Sequence, residues 1–297
     1  MRCRCGRAGD VATDFPRRIV CLSDETTEIL YALGAEDRIV GVSKLTVRPA
    51  AARRKPRVAA FSTTDADAVL ALAPDLVLAF SDVQAEITRE LVLRGATVLA
   101  FNQRTVAEVL DVVRALGRLV GKAREGDALA AALAAGLEAI RESARRFPRR
   151  PRVFFEEWHD PLISGIAWVE ELVEIAGGDV VFPELRGCGK SRDRVVDAAE
   201  VRARDPEVIV ASWCGKAVRK RAIAARPGWD AISAVRDGHV YEIRSSLILQ
   251  PGPAALTEGV RQLHAILAHV VGAEVPAALR PREPTDATLL APSVSDV

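Results

Sequence analysis

The feature that most constrains this chain is a long stretch that nothing interrupts. Between Arg124 and Arg146 the sequence is rich in Ala and Leu, carries two glycines and no proline, and sets Leu129, Leu133, Leu137 and Ile140 at helical spacing. It predicts one helix of about 20 to 25 residues, roughly 30 to 38 Å long at 1.5 Å per residue. Pro148 and Pro151 close it, because proline lacks the N–H a helix needs and its ring clashes with the preceding turn.

The pattern on both sides of this helix is different. Arg18-Ile19-Val20-Cys21-Leu22 is a short β-rich run, and Ser23-Asp24-Glu25 opens a helix that stops at Gly34. Strand-like runs recur at 39–42, 57–61, 75–80 and 97–101, with helical segments at 66–72, 83–94 and 106–119. After Pro151 a second series begins, with strands at 152–156, 208–212 and 239–243 and helices at 167–176, 197–204 and 253–271. Pro253 stands at the first position of the last helix, where its missing N–H costs nothing. Strands that alternate with helices pair through crossovers, so each series predicts a mainly parallel sheet covered on both faces. The fold class is therefore α/β: two Rossmann-like lobes with mainly parallel sheets joined by one long helix. The expected boundaries are a disordered segment over 1–16, a first lobe over 17–122, the linking helix over 123–150, a second lobe over 151–272 and a disordered tail over 273–297. A single stiff connection restricts hinge closure, so a cleft between the lobes is expected to change shape little.

Composition excludes several classes. The chain of 297 residues is 49% hydrophobic and 27% charged, in the range of soluble globular proteins. Its net charge of +1 gives no global field for nucleic acid or an anionic membrane. The arginines at 145, 146, 149, 150 and 152 have no interleaved aromatics and read as a solvated flank of the hinge. No run approaches the roughly 18 to 20 apolar residues of a membrane span. Met1 to Pro16 is polar throughout, so the sequence as written is expected to stay in the cytoplasm, or to reach the periplasm if its start lies upstream. Five cysteines, at 3, 5, 21, 188 and 214, are odd in number and irregular in spacing, which argues against a disulfide framework.

The first-lobe segments Arg18 to Ser23, Thr27 to Gly34 and Ile39 to Ser43 resemble the opening of the helical-backbone periplasmic binding proteins, which serve importers of iron-siderophores, haem and vitamin B12. Leu70-Ala71-Leu72-Ala73-Pro74-Asp75-Leu76-Val77-Leu78 is similar to that family's most regular motif, and Val201 to Val210 echoes it in the second lobe. The resemblance runs in order from about Arg17 to Gly272 and is nearest the vitamin B12-binding type. It implies a substrate-binding protein with no catalytic role and no intrinsic cofactor, acting as a monomer. The implied ligand is a corrinoid such as cobalamin, or alternatively haem or a ferric siderophore. It also implies one acid on each lobe that docks on an ABC permease. The first is Asp67, seven residues before the motif proline; the matching second-lobe position is Ala199, with Glu200 beside it.

Ligands of open α/β sheets sit beyond the carboxyl ends of the strands. In the first lobe those ends carry Ser23, Asp24 and Glu25, then Phe61 and Ser62, then Phe80 and Ser81, then Phe101-Asn102-Gln103. The phenylalanines read either as caps on the core edge or as an aromatic wall for a large ligand. In the second lobe Glu156-Glu157-Trp158-His159-Asp160-Pro161 follows a strand directly. Trp158 and Trp168 read as surface packing or as a stacking wall, with His159 a candidate axial ligand to cobalt or iron. Gly187 to Ser191 lacks the first glycine of a phosphate loop and reads as a cleft loop that brings Lys190 and Ser191 to an acidic ligand group. Trp213 and Cys214 end another strand, Arg244 is placed to clamp a carboxylate or phosphate, and Gln250 leads into the final helix.

The competing reading is a metal-dependent hydrolase that uses His159, Glu156 or Glu157, and the thiols of Cys188 and Cys214. Against it, the sequence has no G-x-S-x-G, no H-E-x-x-H and no complete phosphate loop. A third reading is a carrier of the same fold that hands a corrinoid or haem on inside the cell.

Overall fold

The computed structural model describes residues 15–60 and 64–283. The first lobe is a parallel sheet of β1 (Ile19–Cys21), β2 (Ile39–Ser43), β3 (Arg57–Ala59), β4 (Leu76–Phe80) and β5 (Val98–Phe101), in the order β3-β2-β1-β4-β5. The order reverses between β1 and β4, and a crevice opens at the carboxyl ends of such a pair. Ile19, Val20 and Cys21 are fully buried, as expected of a central strand covered on both faces. The helices of this lobe are α1 (Asp24–Ala32), α2 (Ala66–Ala71), α3 (Ala85–Leu93) and α4 (Val106–Leu119). Their starts are chemically marked. The Asp65 side chain accepts the N–H groups of Asp67 and Ala68 ahead of α2, and Thr105 and Glu108 form a reciprocal capping box at α4.

The linking helix is α5 (Ala123–Ala144), 22 residues long. It packs closely on α4 because both helices present glycine at the contact: a Cβ on Gly117 would stand 2.8 Å from the Cα of Gly126. Leu133, Leu137 and Ile140 are buried along its inner face.

The second lobe consists of β6 (Arg152–His159), β7 (Leu162–Ser164), β8 (Asp179–Val180), β9 (Val208–Ala211) and β10 (Val240–Glu242), with α6 (Ala167–Ala176), α7 (Ala198–Arg204), α8 (Lys220–Ala224), α9 (Ser233–Arg236), α10 (Ser245–Ile248) and α11 (Val260–Val271). β10, β9 and β6 run parallel, and β8 joins the start of β6. One expectation is corrected here. β6 does not end at Glu156 but runs on to His159, then folds back through Asp160-Pro161 into the antiparallel strand β7. His264 ties α11 to the neighbouring helices: Nδ1 donates to the carbonyl of Ala176 at 2.9 Å, and Nε2 accepts from the Ser143 hydroxyl at 3.0 Å. Burial holds its pKa below the ordinary imidazole range.

The last helix is also not uniform. Residues Ala255–Gly259 wind as a π-helical segment before α11 begins. The buried Glu258 carboxylate on that segment accepts the N–H groups of Arg282 and Glu283, and Glu283 pairs with Arg48 of the first lobe. The expected loss of structure after Gly272 is thus corrected for residues 273–283, because a buried carboxylate must find donors and the returning chain supplies them. At the other end, the Phe15 ring lies against Gly121 and the Pro16 carbonyl accepts from Arg38, so residues 15 and 16 also hold defined positions. No helix among the described residues is long and apolar enough to cross a membrane.

Candidate ligand-binding site between the lobes

A cavity of about 620 Å³ lies between the lobes, within the range of small-molecule sites. The first lobe supplies Phe80 at the end of β4, then Ser81, Asp82 and Val83, and Arg104 beyond β5. The turn after β4 is held from inside by Gln84, whose Oε1 accepts the Phe80 N–H at 2.9 Å and whose Nε2 donates to the Leu22 carbonyl at 3.0 Å. Arg104 donates to Asp82 at 2.8 Å, and its guanidinium lies 5.4 Å from the centre of the Phe80 ring.

The second lobe supplies the opposite wall. The β6–β7 hairpin brings Glu157, Trp158, Pro161 and Ile163; the start of α6 brings Ile166 and Trp168; the segment 189–195 closes the side. Both indoles have their polar edge satisfied. Trp158 Nε1 donates to the Asp160 carbonyl at 2.9 Å and Trp168 Nε1 to the Ile248 carbonyl at 3.1 Å. Arg194 is 1% exposed and grips Glu157 with both terminal nitrogens, at 2.7 and 2.9 Å. Behind this pair stands Glu170, whose buried carboxyl is pushed up to about 7 by desolvation, against the partial relief of Arg186 and Arg194.

Of the residues expected at a ligand site, Phe80, Ser81, Trp158, Trp168 and Lys190 line this cavity. Phe61 and Ser62 lie outside the described residues. Several other expected ligand groups are engaged elsewhere. Glu156 is fully buried and held by Arg226 at 2.6 and 2.8 Å, with the Trp213 indole N–H at 3.1 Å. His159 stacks on Trp213 with ring centroids 4.3 Å apart, and neither ring lines the cavity, so the structure does not present His159 as an axial ligand. The reason is the continuation of β6 with a register irregularity between Glu156 and Trp158, which turns Glu156 and His159 away while Glu157 and Trp158 face the cleft.

Ser23, Asp24 and Glu25 also miss the cavity. Asp24 and Glu25 sit with Gln250 in a small pocket where α1 meets the second lobe. There the Ser23 hydroxyl donates to Glu25 at 2.6 Å, Thr46 donates to Asp24 at 2.8 Å, and burial pushes the Glu25 carboxyl up to about 7. Arg244 is exposed and caps α10 rather than entering the cleft. Cys214 lines the cavity with its thiol pKa raised by burial, but among the described residues no three His, Cys, Asp or Glu side chains converge on a metal position. The set that a Cys188, Cys214 and His159 metal site or a hydrolase would need is not assembled.

Sequence reading placed Asp82 with Phe80 and Ser81 at a strand end facing the cleft, and missed Arg104, Arg192, Arg194 and Leu249 as cavity residues. Arg104 and Arg192 had a visible signal, since they directly follow Gln103 and Ser191, both already placed at the cleft. Asp67 and Glu200 stand in the first turns of α2 and α7, and each pairs with an arginine of its own lobe, Arg94 and Arg204.

Comparison with known proteins agrees with this architecture. The sequence profile of the periplasmic binding protein family matches residues 19–247. An uncharacterized ABC transporter substrate-binding lipoprotein of Bacillus subtilis is 28% identical over 257 residues, which cover 84% of this chain and 79% of that protein. The crystal structure of the periplasmic vitamin B12 binding protein of Vibrio cholerae superposes with a TM-score of 0.69 at 26% identity, covering 86% of this chain and 98% of that one. A periplasmic heme-binding protein solved with two hemes superposes with a TM-score of 0.72 at 25% identity, over 86% and 98% of the two chains. With two α/β lobes, a long connecting helix and a lined cleft between them, the chain is a member of the periplasmic binding protein family, a binding protein and not an enzyme.

Proposed function

We propose that this protein captures a large, partly apolar metal chelate, a corrinoid or an iron chelate such as haem, in the cavity between its lobes and delivers it to an ABC permease. The observation that carries the reading is the cavity itself. It is walled by Phe80 from one lobe and Trp158, Trp168, Ile163 and Ile166 from the other, with charged and hydroxyl groups set between these apolar surfaces. Relatives named for vitamin B12 and for heme support this ligand class. The lipoprotein relative favours delivery outside the cytoplasmic membrane over a carrier inside the cell; an export signal encoded upstream of Met1 would decide between them.

The test is a titration with cyanocobalamin, dicyanocobinamide and hemin, followed by tryptophan fluorescence and chelate absorbance. Saturable quenching by one of them, weakened at least about tenfold in Trp158→Ala, is the expected result, equivalent to about 1.4 kcal/mol of binding. Absence of binding by all three removes the corrinoid and haem readings together.

A further inference from the structure

We infer that the ligand of this cleft carries at least one carboxylate or phosphate group that Lys190 and Arg192 receive at the cavity wall. The inference rests on the cleft being a chelate site and narrows the chemistry of what it takes.

The charge balance of the wall is the argument. Four cations line the cavity, Arg104, Lys190, Arg192 and Arg194, against two carboxylates, Asp82 and Glu157. Both carboxylates are already engaged, Asp82 by Arg104 at 2.8 Å and Glu157 by Arg194 at 2.7 and 2.9 Å. Lys190 has no acidic partner among the described residues. Arg192 meets only its neighbour Asp193, at 3.6 Å, with 75% and 51% of the two side chains exposed, a pair that solvent screens to little. Two positive charges are left over in the cavity lining. The whole chain carries only +1, so this excess is local.

These cations sit on an anchored segment. Arg194 is buried, donates to the Ser164 carbonyl as well as to Glu157, and has an Nε atom that is buried without a partner. The neighbouring Val195 bridges Ile163 of β7. At the other end, Arg186 is held by Glu174. Between these anchors a Cβ on Gly189 would come 3.8 Å from Arg104 of the first lobe, so the segment spans the cleft there. A neutral ligand that covered Lys190 and Arg192 would strip water from two charges and return nothing. A carboxylate or phosphate replaces that water with charge-assisted hydrogen bonds.

Two pairs of probes test this on the full chain: hemin against its dimethyl ester, which differ in free carboxylates, and cyanocobalamin against dicyanocobinamide, which lacks the phosphate together with the ribose and base it carries. The member of at least one pair that carries the carboxylates or the phosphate is expected to bind about tenfold or more tightly than its counterpart. In Lys190→Gln/Arg192→Gln that advantage falls to within about twofold, and raised salt shrinks it in the unsubstituted protein. Which pair discriminates tells carboxylate from phosphate. Equal binding within both pairs, still lost in Trp158→Ala, leaves the cleft reading intact and overturns the inference, as does full preference retained by the double variant. Failure of all four probes to bind removes the corrinoid and haem readings and the inference with them.

Discussion

Gly252 of the second lobe lies so close to Glu25 of the first that a Cβ placed on it would stand 2.6 Å from the Cβ of Glu25. Backbone and buried side chain leave no room for the neighbour to yield. Gly252→Ala is therefore expected to spread the lobes at this seam and to cost about 1–3 kcal/mol, the usual range for overpacking. Urea unfolding reads the loss as a lower midpoint at unchanged slope. A wild-type midpoint would show that the seam opens without cost.

Glu25 and Glu170 give the fold a pH dependence whose sign is fixed. Burial raises both carboxyls from an ordinary 4.5 to about 7. Between those values the unfolded chain has released the proton and the folded chain still holds it, so stability falls as pH rises. It is fully present below about 4.5, is lost progressively towards 7, and levels off once the folded groups ionise. For the fully buried Glu25 the loss is on the order of 3 kcal/mol. Thermal melts at pH 5 and pH 8 should show the chain more stable at pH 5, and Glu25→Gln should reduce that difference. A variant with the same pH difference as wild type would refute the assignment to Glu25.

The Arg194–Glu157 pair behaves differently because one partner has no access to water. Glu157→Gln leaves the Arg194 guanidinium, 1% exposed, without its counter-charge. A loss of about 3 kcal/mol follows, in the range for breaking a buried pair from one side. Chelate binding should weaken in the same variant, since Arg194 anchors the segment that carries Lys190 and Arg192. Stability and affinity both unchanged would mean that the pair is more solvated than its geometry indicates.

Docking on a permease is proposed to use Asp67 and Glu200. Both sit in first turns on the outside of their lobes, well away from the cavity lining. Asp67→Arg and Glu200→Arg are expected to leave chelate affinity unchanged and to slow uptake several-fold in vesicles carrying the permease. Unaltered uptake in the double variant would move docking to another surface.

The fold was legible because its signals are local. The helices α4 and α6 fall on the residues where the sequence pattern placed them, Val106–Leu119 and Ala167–Ala176. The site was legible only where a residue's own position decides its role, as with Phe80 at a strand end or Trp168 at a helix start. Glu156 and Trp213 were misjudged because their partners are remote: Arg226 stands 70 positions from Glu156 and Trp213 stands 57. Nothing near Glu156 in the sequence announces an arginine that consumes it. His159 followed the same error, since one unforeseen extension of β6 changed which side chains face the cleft.

The hydrophobic core that surrounds α5 does not stop at the lobe boundary. One contiguous cluster takes in Ile19 and Leu78 from the first lobe, Phe155 and Val210 from the second, and Leu133, Leu137, Leu263 and Leu267 from the helices between them. Neither half has a complete interior of its own, and a chain divided after Lys122 would yield two fragments with their apolar sides bare. The same continuity restricts how such a molecule can diverge. Grafting one lobe from a relative would require the whole shared interior to be rewritten, whereas the segment from Arg186 to Val195 can be edited residue by residue. New ligand preferences are therefore expected to accumulate in that segment while the halves descend together.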